Sequence, residues 1–270
     1  MDVRERNRRR RYGQNDLHDR ALVARILDRI AAPLPISETG WVEIGPGLGA
    51  LTLPLIERSP AGYAGLELDA DRARALARTI APHGVRTGDA TDPAVVAATL
   101  ASIPAPRRIL GSLPYNAATR IVDALLSCAR DGGIADVHVI VQREVGERLA
   151  AIPRSPSYGF LTTITQLRAE AALLETIPAS AFRPRPRVTS ALVRLVPRRE
   201  PPEAWGELRA FLAQAFRARR KTLENSLGPT VDRERLRRWL DLRHLPPRTR
   251  AEELAPETLL DLFRARIIGP

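Results

Sequence analysis

The chain has 270 residues, 44% of them apolar, with 42 Lys and Arg against 31 Asp and Glu and a net charge of +11. That length admits one large core, or a large domain with a small one; the lone cysteine, Cys128, excludes an internal disulfide and a thiolate metal cage, and four scattered histidines make no metal site. No run of about 18 apolar residues offers a membrane span, and the first residues lack a signal-peptide core, so a cytoplasmic protein with no membrane partner is expected.

In chain order, the basic stretch "RERNRRRRYG" (4–13) comes first. "WVEIGPG" (41–47) reads as a strand entering a glycine turn, and "YAGLELD" (63–69) as a second strand, followed by a helix capped by Asp69 or Asp71. "VRTGDA" (85–90), "RRILGSLPY" (107–115) and "DVHVIVQREV" (136–145) supply three more strands. Cys128 lies between the last two at a helix end, where a buried structural thiol is expected. The βαβα rhythm predicts a parallel sheet with helices on both faces. "TTITQLRAEAALLETI" (162–177) and "VTSALVRLVP" (188–197) are alternating and β-branched, so they predict two further strands in an antiparallel, hairpin-like edge. The expected fold is therefore α/β, a doubly wound, mostly parallel, seven-stranded sheet, with a small C-terminal helical domain. "PRREPPE" (197–203) reads as the linker, dividing a domain at 1–198 from one at 199–270. More basic clusters, "FRPRPRV" (182–188), "FRARRKTL" (216–223) and "DRERLRRW" (232–239), favour a polyanion partner, because clustered Arg and Lys neutralise phosphates.

The chemistry gathers at strand ends. Glycines at 45, 47 and 49 let the backbone turn sharply and approach a ligand. Their G-x-G-x-G spacing is shorter than the dinucleotide fingerprint, which favours a smaller nucleoside ligand. An acid about 20 residues on can accept from both ribose hydroxyls. Glu67 and Asp69 compete for that role, and Glu67 is favoured because Asp69 suits a helix cap. Asp89, at the third strand's end, can accept from an adenine amino group. Gly, Glu and Asp in this order describe an S-adenosylmethionine site above a doubly wound sheet. "SLPY" (112–115) then falls where the sulfonium methyl would point, which puts Ser112 against the cofactor as well as the substrate. An exocyclic amine needs acceptors for its two N–H protons if its lone pair is to face a methyl donor. The Ser112 oxygen and a backbone carbonyl near Leu113 or Pro114 suit this need, and Tyr115 offers a face for stacking an extruded base.

"YGQNDLHD" (12–19), "EIGPGLGALT" (43–52), "LELD" (66–69), "GDA" (88–90), "SLPYN" (112–116) and "VQREVGERL" (141–149) resemble the ribosomal RNA adenine N6-dimethyltransferases. So do "SYGFLTTITQ" (157–166), "PASAFRPRPRVTSALVRL" (178–195), "FRARRKTLENSL" (216–227) and "RAEEL" (250–254), which favour the small-subunit dimethyladenosine transferases over their cousins, the macrolide-resistance 23S methylases. The resemblance implies that Asn15 and Leu17 close over the methionine end of the cofactor, Gly45 and Gly47 lie against it, Glu67 binds the ribose and Asp89 the adenine. It implies that Ser112, Leu113 and Tyr115 hold the target amine, that Phe182 stacks on the other face of the target adenine, and that the helical tail grips ribosomal RNA. The implied activity is dimethylation of adjacent 16S adenines in ribosome biogenesis, by a monomer acting on a small-subunit precursor. The alternatives are a 23S methylase and a catalytically weakened assembly factor. Two residues depart from the family pattern: Ser112 stands where the family has Asn, and Asp16 where it has an aromatic. The serine is shorter, and Asp16 is expected to add a negative charge beside the RNA entrance.

Overall fold

The computed structural model describes residues 15–32, 34–129, 133–200, 202–228 and 231–265. The opening basic stretch at 4–13 lies outside these. Among the described residues no helix is long and apolar enough to cross a membrane. Two compact units divide the chain: residues 1–146 with 171–199, and residues 147–170 with 200–270.

In the first unit, β1 (Asp16–Leu17) leads into α1 (Arg20–Ala31), whose cap Asp19 accepts from Leu22 N–H. Then come β2 (Gly40–Ile44), α2 (Thr52–Ile56), β3 (Gly62–Glu67), α3 (Ala70–Thr79), β4 (Gly84–Thr87) and α4 (Pro93–Leu100). They are followed by β5 (Arg107–Ser112), α5 (Ala118–Cys128) and β6 (Ile134–Gln142). Asp69 and Asp92 cap α3 and α4 by accepting from N–H groups of the first turn, and Pro93 opens α4, where its missing N–H costs nothing.

After α6 (Arg143–Leu149) and α7 (Phe160–Gln166), the chain forms β7 (Ala169–Ile177), the short β8 (Phe182–Arg183) and β9 (Ser190–Pro197). The seven-stranded sheet runs β4-β3-β2-β5-β6-β9-β7. Its first five strands pair in parallel and β9 is antiparallel to β6. Every residue of β2 is buried, as expected of a central parallel strand covered on both faces. From β2 the chain winds outward through β3 to β4, then returns to place β5 on the other side of β2. This reversal opens a crevice at the carboxyl ends of β2 and β5, the place where open α/β sheets hold ligands.

Three expectations for single segments of this part of the chain need correction. Residues 162–166, of which the first four are β-branched, are helical, not strand: Ile164 enters a helical core with Leu208, Phe211 and Leu212, and Thr162 and Thr163 turn their hydroxyls onto the carbonyls of Arg148 and Gly159. Tertiary burial overrides the propensity. The run "DVHVIVQREV" leaves the sheet at Gln142, and its last three residues start α6. Cys128 is half-buried rather than buried; it is the last residue of α5, and its Sγ lies 3.2 Å from the Pro93 carbonyl.

The second unit contains α7, α8 (Trp205–Ala215), α9 (Leu223–Leu227), α10 (Arg233–Asp241) and α11 (Pro256–Arg264) around one apolar core. The sequence reading cut the chain once, at 198/199, whereas residues 147–170 group with the helices because Ile164 and Leu167 are buried among them. The Arg219 guanidinium binds Glu252 and the Ser155 and Pro156 carbonyls within this unit.

Candidate active site

The site begins where β2 ends. Gly45 and Gly47 adopt φ of +65° and +57°, the left-handed region that side chains disfavour. Gly45 N–H donates to the Leu66 carbonyl at 2.8 Å, and Gly47 N–H to Oε2 of Glu67 at 2.9 Å, so the last residues of β3 fix the turn after β2. The other Glu67 oxygen accepts from Asp69 N–H at 3.0 Å. Burial pushes the Glu67 carboxyl up, opposed by those two N–H donors and by the charge of Arg72. Asp69 faces its own helix, accepting from Asp71 and Arg72 N–H. The two acids thus divide along the lines of the sequence reading, one capping and one lining the crevice.

At the end of β4, Asp89 is exposed and accepts from Thr91 N–H at 2.8 Å, which shapes the turn. At the end of β5, Ser112 is in register with Ile140 of β6, and Leu113 N–H donates to the Ile140 carbonyl at 2.9 Å. The Pro114 carbonyl accepts from Ala117 N–H at 3.0 Å in the turn into α5. The Tyr115 hydroxyl lies 2.8 Å from Oγ of Ser190, the first residue of β9, and partial burial pushes its pKa up against that hydrogen bond.

A separate two-stranded ladder completes the wall. β1 pairs antiparallel with β8, Leu17 opposite Phe182 and Asp16 opposite Arg183. One crevice, open to solvent, is lined by Asn15, Leu17, Gly45, Gly47, Glu67, Asp89, Ser112, Leu113, Tyr115 and Phe182 together. Sequence reasoning singled out those ten, spread over 168 positions, and the fold brings all of them to this cavity. Phe182 is only 2% exposed and packs in the core with Leu17, so it forms wall more than open platform.

Other lining residues are given no site role by the sequence. Glu43, next to last in β2, is buried and accepts from the Thr52 and Tyr63 hydroxyls at 2.7 and 2.8 Å. Burial pushes its carboxyl up to about 7, against those two donors. Its signal was an acid in an otherwise apolar strand just before the glycine turn. Leu48 and Leu68 line the cavity yet are 62% and 49% exposed, leaving apolar surface for a flat ring to cover. Asp16 does not present the free charge expected of it. Arg72 holds its carboxylate in a two-pronged pair.

A twisted parallel sheet with its crevice at this reversal is the fold of Rossmann-like methyltransferases. The solved 23S rRNA methyltransferase ErmE superposes with a TM-score of 0.67 at 26% identity, covering 93% of this chain and 99% of its own. A dimethyladenosine transferase from Plasmodium falciparum shares the fold at TM-score 0.68 and 20% identity, over 93% of this chain and 98% of its own. The family model described as "Ribosomal RNA adenine dimethylase" matches residues 5–266, and the chain belongs to that family. Curated relatives include "Ribosomal RNA small subunit methyltransferase A" of Chromohalobacter salexigens, 41% identical over 83% of this chain and 80% of its own length. The protein of the same name from Nitrosococcus oceani is 38% identical over 95% of each.

Proposed function

We propose that this protein transfers methyl groups from S-adenosylmethionine to the N6 amine of adenine in small-subunit ribosomal RNA, as a step in ribosome biogenesis in the cytoplasm. The observation that carries the reading is a single cavity that joins the glycine turn and Glu67 on one side to Ser112–Tyr115 on the other. The relatives named for the small subunit, 38–41% identical over 80–95% of their length, support that subunit over the 23S reading, whose example ErmE stands at 26%.

The residues present fit the cofactor. A carboxylate has about four acceptor positions, so Glu67 can take ribose hydroxyls while still holding the N–H groups of Gly47 and Asp69. The exposed apolar faces of Leu48 and Leu68 suit the adenine ring, and the outward Asp89 suits its amino group. The bare backbone at Gly45 and Gly47 lets the methionine end lie close. Bound there, S-adenosylmethionine supplies a methyl group on a positively charged sulfur, ready for displacement.

The protein's own task is to hold the amine. The Ser112 oxygen accepts one N–H proton. We assign the second acceptor to the Leu113 carbonyl, since the Pro114 carbonyl already accepts one bond from Ala117 N–H in the turn. Tyr115 stacks on the base, its ring held by the Ser190 hydrogen bond, and Phe182 backs the wall. No group of matched pKa is required, because the methylated cationic amine loses its proton readily to water.

Single-turnover transfer of labelled methyl to small-subunit particles, with mass spectrometry of the rRNA nucleosides, tests this. N6-methylated adenosine in the small-subunit RNA is the expected product. Ser112→Ala should slow transfer about tenfold or more through a lost hydrogen bond, and Ser112→Asn should match or exceed the parent. Transfer to large-subunit particles run in parallel, with none to small-subunit particles, would reassign the substrate. A parent that binds cofactor yet transfers nothing, with Ser112→Asn active, would make it a weakened assembly factor.

A further inference from the structure

Arg72, on the first turn of α3, approaches Asp16 with both prongs of its guanidinium, Nη1 to Oδ1 at 2.6 Å and Nη2 to Oδ2 at 3.1 Å. The arginine side chain is 4% exposed and the aspartate 16%, and both line the cavity. A Cβ on Gly47 would lie 3.3 Å from Nη1 of Arg72 and 3.4 Å from Oδ1 of Asp16, so the pair rests directly on the glycine turn. The Arg72 charge also reaches Glu67, whose pKa it lowers. On its other side, Asp16 belongs to a strand of two residues whose partner strand carries Phe182. So short a ladder holds few backbone hydrogen bonds, and a forked, desolvated ion pair is a strong additional anchor.

We propose that the Asp16–Arg72 pair is the clasp that positions Asn15–Leu17 over the cofactor cleft, and Phe182 with it, in place of the aromatic that the family pattern has at position 16. Neither residue acts on the reacting atoms; both are positioning residues. The clasp sits between the two halves of the site, because α3 begins just after the ribose-side acid and β1 is laddered to the base-side wall. Breaking it on one side removes the two-pronged contact from a charge in a half-dry place, whereas replacing both members by apolar side chains restores a contact of another kind. This inference rests on the reading of the cleft as an S-adenosylmethionine site.

The test is titration calorimetry of the full-length protein with S-adenosylhomocysteine, alongside thermal unfolding, for five variants. Asp16→Asn keeps the shape and removes the charge. Asp16→Phe and Arg72→Leu each remove one member, the double variant Asp16→Phe/Arg72→Leu makes the pair apolar, and Asp16→Arg/Arg72→Asp exchanges the charges. Each single variant should bind at least about tenfold more weakly, equivalent to 1.4 kcal/mol. The apolar double should recover to within about threefold of the parent, a positive coupling of the kind that neighbours show. Exchange of the charges should recover part of the loss. Transfer kinetics should show the cofactor KM rising in the single variants, with a smaller fall in kcat from the displaced Phe182. Single variants that lower the melting temperature but bind with parental affinity would make the pair merely structural and overturn the proposal, as would a double variant no better than the worse single. A parent that fails to bind S-adenosylhomocysteine would overturn the cofactor reading itself, and the clasp with it.

Discussion

Glu67→Ala separates the two acids at the end of β3. In the parent, Glu67 holds the N–H groups of Gly47 and Asp69 at 2.9 and 3.0 Å, so its carboxylate is fixed before any ligand arrives. Each ribose hydroxyl donating to a charged acceptor is worth about 1.5–3 kcal/mol. The carboxylate is 5% exposed, and burial already works against its charge, which offsets part of that gain. A net loss of about 2–3 kcal/mol is expected, roughly 30- to 150-fold in Kd. Asp69→Ala removes instead two capping bonds, from Asp71 and Arg72 N–H at 3.1 and 3.4 Å. It should cost about 1 kcal/mol of stability and leave affinity nearly unchanged. Calorimetry with S-adenosylmethionine and urea unfolding read the two quantities separately. Normal affinity in the Glu67 variant with lost affinity in the Asp69 variant would reverse the assignment, and normal affinity in both would move the ribose elsewhere.

Glu43 gives a pH prediction. Its folded-state pKa of about 7 lies above the usual 4.5, so the folded state keeps a proton that the unfolded state has released, and stability falls as pH rises through that window. Glu43→Gln should remove this slope and gain on the parent by up to about 3 kcal/mol between pH 4.5 and 8; an unchanged slope in urea unfolding refutes it. In the helical unit, Arg220→Glu with Lys221→Glu should weaken binding to ribosomal particles and lower the salt slope by up to about 2; a slope equal to the parent's would place the RNA contact elsewhere. Arg219→Ala should act differently, lowering stability by about 1 kcal/mol in thermal unfolding, because its guanidinium binds Glu252 and two carbonyls. Tyr115→Phe and Ser190→Ala remove the same hydrogen bond. Each should slow transfer by about three- to tenfold without changing cofactor affinity, and the double variant should be no slower than the worse single.

The strand ends were legible because parallel strands put chemistry at one edge of the sheet, and glycine, acid and proline mark each edge in the sequence. Residues 162–166 were not, since β-branched threonines state a local preference and the helical core around Ile164 and Leu167 is assembled from residues more than 40 positions away. The same distance hides side-chain partners. Tyr115 finds Ser190 across 75 positions, and Asp16 finds Arg72 across 56. No spacing rule reaches that far. For Arg219, sequence alone could register only a basic cluster, and a cluster does not say which of its members is already engaged.

The two departures from the family pattern fall on opposite sides of the site, and the structure gives them different weight. Asp16 arrives with its own compensation, an arginine placed to hold it, so a change that would put a bare charge at the entrance becomes an internal contact. Ser112 has a compensation of another sort. It is the last residue of β5, in register with Ile140, and the next N–H is bound to the Ile140 carbonyl, so the sheet itself holds the backbone that carries the hydroxyl. A serine has one side-chain torsion to fix before its oxygen is aimed, where an asparagine has two. The shorter acceptor loses reach but also loses less entropy when it is aimed. On a mobile loop that exchange would be unfavourable; on a strand end it leaves an acceptor that is short and well directed. A working transferase with serine at this position is therefore physically coherent, provided the base is brought close enough. On the proposed reading, bringing the base close falls to Tyr115, held by Ser190, and to Phe182.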